Sequence, residues 1–152
     1  MSGDAVSRIR YAEMADSAFW FKLDRHLPLD GFESIVRDRR GYIIMDGMQP
    51  VGLLRYGLFW DLIPFCYLIY IAGNCQGRGL GRKLMTCWEN DMRQKGYGIV
   101  LTSTQVDEQA QHFYRRLGYR DCGGLLLDFS GYGQPMELFM AKPLMPCETE
   151  CV

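Results

Sequence analysis

The apolar and polar residues of this 152-residue chain follow two periods that alternate along it. Short runs rich in aliphatic, β-branched and aromatic residues predict seven strands. They cover residues 7–11, 42–45, 50–60, 65–72, 99–104, 119–127 and 136–142. Apolar residues at spacings of three and four predict four helices. These cover residues 16–25, 30–39, 80–96 and 107–117. The order of elements predicts an α/β fold with a mixed sheet, in which strands two to four form an antiparallel meander.

Residues with capping chemistry mark the predicted helix ends. A carboxylate at an N-cap accepts hydrogen bonds from backbone N–H groups that have no partner within the helix. Three aspartates stand at such positions: Asp16, Asp30 and Asp107. Gly96 and Gly118 follow two of the helices, and the pair Asp46-Gly47 predicts a β-hairpin.

Length and composition favour one domain, predicted over residues 1–143, followed by a short flexible tail over residues 144–152. Apolar residues make up 48% of the chain and aromatic residues 13%, which excludes wholesale disorder. The net charge of −1 gives no electrostatic case for nucleic acid or an anionic membrane as the main partner. The N-terminus has no apolar signal core, and the longest apolar stretch, 62–72, is too short to cross a bilayer. We therefore expect a cytoplasmic protein.

The cysteines lack the paired spacing of a zinc site. Only two histidines, His26 and His112, are available to help bind a metal, so no metal is expected. Cys75 lies beside a glycine-rich turn, where it either fills space or accepts an acyl group. The six cysteines are Cys66, Cys75, Cys87, Cys122, Cys147 and Cys151, of which the last two fall in the predicted tail.

A glycine-rich turn joins the fourth strand to the third helix. It reads Gln76-Gly77-Arg78-Gly79-Leu80-Gly81-Arg82-Lys83. Backbone without a Cβ approaches a ligand closely, and the first amides of a helix have no internal partners, so this turn suits an anion such as a phosphate. The cations of this turn stand at the positive, N-terminal end of the helix dipole, where positive charge is unfavourable unless an anion is bound. They therefore favour the same interpretation. An ordinary glycine-rich turn is the alternative.

The glycine spacing separates this turn from two other phosphate loops. A P-loop ends in Gly-Lys-Ser/Thr, whereas here Gly81 is followed by Arg82-Lys83-Leu84, without a hydroxyl group for magnesium. A dinucleotide loop needs Gly-x-Gly-x-x-Gly, whereas these glycines are two residues apart. A nucleotide hydrolase is therefore disfavoured.

A second motif, in the right order along the chain, indicates a family. Residues 110–119 read Ala-Gln-His-Phe-Tyr-Arg-Arg-Leu-Gly-Tyr. Together with Gln76-x-x-Gly79-x-Gly81, this segment resembles the GNAT superfamily of acyl-CoA-dependent N-acetyltransferases. The resemblance covers most of the chain. It implies a single-domain fold with a mixed sheet of about seven strands, splayed between the fourth and the fifth, and about four flanking helices.

The resemblance implies acetyl-CoA as co-substrate. In this family the pantetheine arm pairs with the fourth strand, and the pyrophosphate binds the amides of the glycine turn. Tyr114 matches the position of a general acid that protonates the departing CoA thiolate, although helical periodicity alone predicts that it packs on the sheet. The residues that correspond to the CoA site are Ile69, Tyr70, Ile71, Gln76, Gly77, Arg78, Gly79, Leu80, Gly81, Arg82 and Lys83.

The sequence leaves the general base open. The family's reaction is direct attack of a neutral primary amine on the thioester, without a covalent enzyme intermediate. The predicted fourth strand has no carboxylate to take the proton of the amine. Asp61 and Glu137 are therefore the candidates, and a water relay is the alternative. Asp107 stands where many relatives have asparagine, and we interpret it as a helix cap.

The acceptor site that the family implies is built from the first helices, the turn between strands three and four, and the loop before the last strand. Aromatic side chains there, with the acids Asp30 and Glu33, favour a cationic amine. The acceptor is a small-molecule amine or a protein amine, and homodimers are common among similar proteins. A catalytically idle module that binds acyl-CoA or a partner is the alternative function. The residues expected at the acceptor site are Phe19, Trp20, Trp60, Asp61, Tyr132 and Gln134, of which the first two also fit a core helix.

Overall fold

The computed structural model describes residues 7–146, and its elements follow the predicted order. The strands are β1 (Ser7–Tyr11), β2 (Gly41–Asp46), β3 (Gln49–Phe59), β4 (Ile63–Ile71), β5 (Ile99–Gln105), β6 (Arg120–Leu125) and β7 (Glu137–Pro143). The α-helices are α1 (Ser17–Leu23), α2 (Leu29–Arg37), α3 (Leu80–Gln94) and α4 (Ala110–Arg116). Short 3₁₀ turns at Met14–Asp16 and Gly73–Cys75 precede α1 and α3.

The strands form one mixed sheet in the order β1-β2-β3-β4-β5-β7-β6. β4 and β5 pair in parallel at Phe65 with Leu101 and at Cys66 with Thr102, and β4 then continues to Ile71. The pairs β1–β2, β2–β3, β5–β7 and β6–β7 are antiparallel. A parallel pair needs a crossover connection, which α3 supplies between β4 and β5. The predicted α/β fold with a seven-stranded mixed sheet and four helices is confirmed.

The chain folds as two compact units. The first contains the chain up to Gly57 together with Tyr67–Trp88, and the second contains Leu58–Cys66 and the chain from Glu89 onward. Each unit has buried apolar side chains of its own, because helices and sheet faces are stable only when their apolar sides are covered. The core of the first unit is formed by Ala12, Trp20, Phe32, Ile43, Met45 and Leu53. Buried residues of the second unit include Val100, Leu101, Tyr114, Tyr119 and Met140.

The first helix begins close to its predicted start, after a 3₁₀ turn, but ends at Leu23, before the predicted end at residue 25. Asp16 stands at the N-cap position, but the prediction that its side chain caps α1 is wrong. The carboxylate accepts two hydrogen bonds from the Arg10 guanidinium, at 2.7 and 2.8 Å, and one from the Glu13 N–H at 2.8 Å. Burial by itself raises the pKa of Asp16, but these hydrogen bonds outweigh it and bring the pKa below its ordinary value.

The other two predicted aspartate caps also lie elsewhere. Asp30 is inside the first turn of α2, where its Oδ1 accepts a hydrogen bond from the Gly31 N–H at 2.9 Å. Asp107 lies in the turn before α4, whose N-cap is Gln109. An acidic residue suits several positions near a helix start, so its presence does not fix the cap. The predicted hairpin and helix-end glycines are confirmed by positive φ angles at Gly47 (60°), Gly96 (93°) and Gly118 (98°).

β4 begins earlier than predicted, because the chain reverses sharply after β3. Trp60 and Asp61 make the reversal with φ angles of 55° and 59°, in the left-handed region that non-glycine residues rarely adopt. The Trp60 ring lies 4.6 Å from the Phe59 ring, measured between centroids. Pro64, which the prediction places in the turn, is therefore a strand residue.

A buried polar network holds the second unit together. The carboxylate of Glu89, which is 3% exposed, accepts hydrogen bonds from the Tyr119 hydroxyl and from Lys142 Nζ, each at 2.8 Å. Lys142 also lies over the Tyr119 ring, 5.8 Å from its centroid. Burial first, and then the charge of Glu89, raise the pKa of Tyr119, so the phenol keeps its proton and donates. The network satisfies a carboxylate that could not otherwise be buried.

The first residues after β7 are held in place. The Leu144 N–H donates to the Gly98 carbonyl at 2.9 Å, and the Leu144 side chain is buried. Arg93 Nε donates to the Met145 carbonyl at 2.7 Å. These two residues are the first of the segment 144–152 that the prediction assigns to the tail. Cys147 and Cys151 lie outside the described residues.

The first unit contains a buried ion pair between Asp24 and Arg55. Asp24 directly follows α1, and its side chain is 0% exposed. Arg55 Nε donates to its Oδ2 at 2.7 Å. Trp20 Nε1 and the His26 N–H donate to the same carboxylate at 3.2 and 3.3 Å. A buried carboxylate is tolerated only with partners of this kind, so the end of α1 depends on Arg55.

Removing the guanidinium is expected to destabilise the protein strongly. Arg55→Met keeps much of the side-chain volume but leaves the Asp24 carboxylate without its cation, which typically costs about 3–5 kcal/mol of unfolding free energy. Arg37→Met is the matched control, because Arg37 pairs with Asp38 in an exposed position, where such pairs contribute about 0–1 kcal/mol. Urea unfolding measures both variants. Equal losses would contradict a special role for the buried pair.

Candidate functional site

The glycine turn between β4 and α3 lies at the surface of the first unit. Gly77 and Gly79 have φ angles of 80° and 77°, which glycine adopts without strain. No atom lies within 4 Å of where a Cβ would stand at either position, so backbone conformation and not crowding requires glycine. α3 begins at Leu80, and the first amides of a helix have no intrahelical partner. The turn therefore offers N–H groups and open backbone, as an anion site needs.

Side-chain hydrogen bonds fix the position of this turn. Gln76 Nε2 donates at 2.9 Å to the carbonyl oxygen of the last β4 residue. Arg78 Nη1 donates to Asp46 Oδ2 at 3.0 Å, which ties the turn to the end of β2. Lys83 Nζ donates to Ser7 Oγ at 2.9 Å. Two of the cations in the motif are thus held at the surface by neighbours that keep them beside the turn.

The remaining predicted CoA residues lie on either side of the turn. The Leu80 side chain is buried, so this residue can offer only its backbone N–H, whereas Arg82 is exposed. On β4, the Ile71 side chain and the Tyr70 carbonyl lie against β3 at Gly52. A Cβ at Gly52 would stand 2.5 Å from Ile71 Cδ1 and 2.8 Å from the Tyr70 oxygen, which explains the glycine there. Ile69 and Gly81, the other two members of the predicted set, are both partly buried.

The thiol next to the turn has the surroundings of a packing residue. Cys75 is 7% exposed, and its Sγ donates to Asn74 Oδ1 at 3.5 Å. Reactive cysteines are accessible and lie in electropositive surroundings that lower the thiol pKa. The burial of Cys75 favours the space-filling alternative over an acyl acceptor.

Tyr114 lies on the inner face of α4 in the second unit and is 6% exposed. Its ring lies 5.8 Å from the Tyr119 ring. Burial raises the pKa of Tyr114 above the ordinary value of 10, the nearby Cys66 raises it further, and the polar side chain of Thr102 only partly opposes this. The phenol therefore stays protonated at neutral pH, as a proton donor must.

Two carboxylates act on Tyr114, and sequence reasoning identified only one of them. Glu108 and Glu137 both add to the upward shift of its pKa. Glu137, at the start of β7, accepts a hydrogen bond from Gln134 Nε2 at 3.5 Å. Glu108 accepts one from Thr104 Oγ1 at 3.0 Å. Glu108 lies two residues before α4, and this position close to Tyr114 in the sequence could have suggested it. Glu137 lies far from Glu108 in the sequence, on β7, so the sequence does not show that both carboxylates act on the same phenol.

The six residues expected at the acceptor site fall in different environments. Trp20 is fully buried in the core of the first unit, and Phe19 packs against that core. Trp20 therefore has no surface for a substrate, and its indole N–H serves Asp24 instead. The other four are exposed on the second unit: Trp60, Asp61, Tyr132 and Gln134.

The segment from α1 to α2 contains polar residues that sequence reasoning missed. Lys22, Arg25 and His26 are exposed, and they line a cavity of about 420 Å³ together with Leu68 and Tyr70 of β4. The sequence contains these basic residues just before Pro28, but the helical pattern of the same segment drew attention away from them. This cavity lies entirely within the first unit.

Residues 7–146 contain neither a metal-binding cluster nor a helix suited to a membrane. No cluster of three or more His, Cys, Asp or Glu side chains is arranged to hold a metal ion. No helix in this range has both the length and the apolar character that crossing a lipid bilayer requires.

Comparison with known proteins agrees with the two sequence motifs. A family model described as Acetyltransferase (GNAT) family matches residues 9–119. The mycothiol acetyltransferase of Rhodococcus jostii (strain RHA1) is 43% identical over 54 residues, which are 35% of this chain and 18% of that protein. The match thus spans less than a fifth of the length of this curated relative.

Solved structures share the fold at low sequence identity. Ard1 from Thermoplasma volcanium superposes with a TM-score of 0.80 at 14% identity, covering 91% of this chain and 98% of that one. The ribosomal-protein-S18-alanine N-acetyltransferase from Escherichia coli gives 0.74 at 15% identity, covering 97% and 99%. Both comparisons include nearly the whole of each chain, so they support the fold from β1 to β7.

The protonation of Tyr114 can be measured by following phenolate absorbance with pH. Because its pKa is raised, Tyr114→Phe is expected to show the same rise in phenolate absorbance as the unchanged protein between about pH 9 and 11, where tyrosine ordinarily titrates. Circular dichroism over the same range confirms that both proteins stay folded. A rise smaller by one tyrosine in the variant would show that Tyr114 titrates normally.

Proposed function

Because the chain belongs to the GNAT acetyltransferase family, we propose that it transfers an acetyl group from acetyl-CoA to a primary amine. The family model covers residues 9–119, which include both the glycine turn and the whole of the Tyr114 motif, residues 110–119. The curated relative is an acetyltransferase, although the match covers only a small part of it. The acceptor is a small molecule or a protein; the alanine of ribosomal protein S18 is the acceptor of the Escherichia coli protein with the same fold.

One observation carries this proposal: the left-handed glycines Gly77 and Gly79 stand directly before the first turn of α3. Backbone amides at a helix start bind phosphate oxygens, and open backbone at the glycines lets a pyrophosphate approach. Arg78 and Lys83 are held beside these amides and would neutralise its charge. The Arg78 guanidinium would then be shared between Asp46 and the ligand. The residues present therefore fit the phosphate part of CoA.

The end of β4 supplies the second part of the donor site. Its last residues, Ile69, Tyr70 and Ile71, lead directly into the turn, so a ligand held by the turn would extend along their backbone. Backbone N–H groups of a strand edge can hydrogen-bond an extended amide chain and can stabilise an oxyanion. We assign these residues to the pantetheine arm and to the thioester carbonyl.

Tyr114 is proposed as the general acid. The amine attacks the thioester carbonyl, the new C–N bond forms, and the C–S bond then breaks with its electron pair on sulfur. A phenol that stays protonated at neutral pH can give its proton to this thiolate.

The base is proposed among carboxylates of the second unit. Glu137 contributes to the electrostatic surroundings of Tyr114, whereas Asp61 lies exposed in the β3–β4 turn. A carboxylate or a water relay that removes the proton of the ammonium group yields the neutral amine that attacks. Glu108 joins the candidates, because it acts on Tyr114 in the same way as Glu137.

Incubation of the protein with acetyl-CoA and a broad amine mixture tests the function. Release of free CoA thiol and a mass increase of one acetyl group in an amine are expected. Calorimetric binding of acetyl-CoA without thiol release would favour a catalytically idle binding module. ATP turnover at ordinary enzyme rates would instead favour the disfavoured nucleotide hydrolase.

Tyr114→Phe is expected to lower kcat by about 10²-fold or more, the usual contribution of a positioned general acid, with little change in acetyl-CoA affinity. Steady-state kinetics and calorimetry measure the two quantities. Tyr97→Phe is the control, because Tyr97 lies between α3 and β5, outside the proposed machinery. A fully active Tyr114→Phe protein would mean that Tyr114 only packs against the sheet.

Gly79→Asp is expected to abolish acetyl-CoA binding, because it places a carboxylate where the pyrophosphate binds. The substitution also strains a backbone with φ of 77°, at a cost of about 1–2 kcal/mol. Gly96→Asp controls for this strain, since Gly96 has a φ of 93° at the other end of α3. The control should lose stability but keep its affinity. Unchanged affinity of Gly79→Asp in calorimetry would reject the turn as the CoA site.

A further inference from the structure

The cavity of about 420 Å³ in the first unit adjoins β4, the strand that the proposed function assigns to the thioester. Its walls come from the end of α1, from the segment that joins α1 to α2, and from Leu68 and Tyr70 of β4. A volume of this size suits a small molecule. The cavity is therefore the candidate for the acceptor amine within this unit.

Among the residues that the structure describes, Asp24 is the only acidic side chain that lines the cavity, and it already has hydrogen-bond partners. The Asp24 carboxylate accepts hydrogen bonds from Arg55 Nε, Trp20 Nε1 and the His26 N–H. Asp24 as a whole is 1% exposed. The Arg55 charge balances the Asp24 charge, and the carboxylate oxygens have no accessible surface for a substrate ammonium group. A second cation here would have to displace Arg55 from a buried pair.

The exposed charges of the wall are positive. Lys22 and Arg25 are exposed, and within the described residues 7–146 neither side chain has an ion-pair partner. The exposed imidazole of His26 adds a further hydrogen-bonding group to the wall. Leu68 and Tyr70 of β4 contribute apolar surface to the wall. The wall thus combines cations that have no ion-pair partner within residues 7–146 with apolar surface from β4.

From this arrangement, and resting on the proposed function, we propose that the acceptor is a small primary amine that also carries an acidic group, a carboxylate or a phosphate. Lys22 and Arg25 bind the acidic group, and apolar parts of the acceptor lie on Leu68 and Tyr70. In this cavity a polyamine would meet two cations without ion-pair partners and no available carboxylate of the wall, so it is a poor substrate. This replaces the cationic amine that the acids Asp30, Glu33 and Asp61 favour in the sequence, since none of these acids lines the cavity.

Matched pairs of amines test the charge preference. L-leucine is compared with L-leucinamide, which lacks the carboxylate, and O-phosphoethanolamine with ethanolamine, which lacks the phosphate; spermidine represents polyamines. In at least one pair, kcat/KM of the acidic amine should exceed that of its neutral partner by about 10-fold or more. The neutral partner lacks the two exposed charge pairs that the acidic group would make with Lys22 and Arg25. The leucinamide comparison is stringent, because its amine is less basic and so more often neutral. The preferred pair tells a carboxylate acceptor from a phosphate acceptor.

The variant Lys22→Gln/Arg25→Gln assigns the preference to the cavity. Its KM for the acidic acceptor should rise about 10-fold, whereas its kcat/KM for the neutral partner and its KM for acetyl-CoA should stay within about 2-fold. Arg37→Gln is the matched control, because Arg37 is an exposed arginine on α2 outside the cavity wall. The control should keep the full preference for the acidic member.

The outcomes separate this inference from the function on which it rests. If no amine in any pair is acetylated, the proposed function fails. If amines are acetylated but spermidine or the neutral partners are preferred, the function stands and the acidic acceptor is rejected. If the acidic members are preferred and the double variant keeps that preference, the assignment to Lys22 and Arg25 is rejected.

Discussion

The passage from β4 into α3 is the constraint on which the first unit depends. A strand must end and a helix must start within a few residues, and the backbone achieves this with left-handed φ angles at Gly77 and Gly79. Any other residue would be strained there. The same geometry leaves the first amides of α3 without internal partners and at the surface. Thus the backbone that lets the strand give way to a helix also leaves the free amides that the proposed chemistry would use.

Helix α3 in turn connects the end of β4 to β5, and so permits the parallel pairing of those strands. Its buried face is apolar, with Leu84, Met85 and Trp88 inside the protein. An amphipathic helix of this kind is stabilised mainly by packing, so its position is determined by the sheet that it covers. The glycine turn is consequently held at a fixed place by the packing of a helix several turns long.

Both units neutralise a buried carboxylate with partners from distant parts of the chain. Asp24 depends on Arg55, and Glu89 depends on Tyr119 and Lys142. If either carboxylate lost its partners, the fold would be strongly destabilised, because the cost of removing the charge from water would no longer be compensated. In the first unit this pairing has a second effect: it neutralises Asp24, the one acidic side chain among the described residues that line the cavity.

The sequence by itself determined the elements, their order and the two motifs. Periodicity and turn residues are local signals, so the seven strands, the four helices and the glycine turn were predicted close to where they occur. The place of Tyr114 on the helix after β5 followed from the same local pattern. The two motifs agree with the family model, because each of them is contained in a few consecutive residues.

Only the tertiary structure decided what the polar side chains do. Asp16 serves Arg10 instead of capping α1, and Trp20 lies in the core, where its N–H binds Asp24. These partners are far apart in sequence or lie on different elements, and periodicity shows which face is buried but not which groups meet there. The charge of the cavity wall likewise depended on Arg55, 31 residues beyond Asp24. The elements and the glycine turn are thus largely local in origin, whereas the partners of the buried polar side chains arise from contacts that folding alone creates.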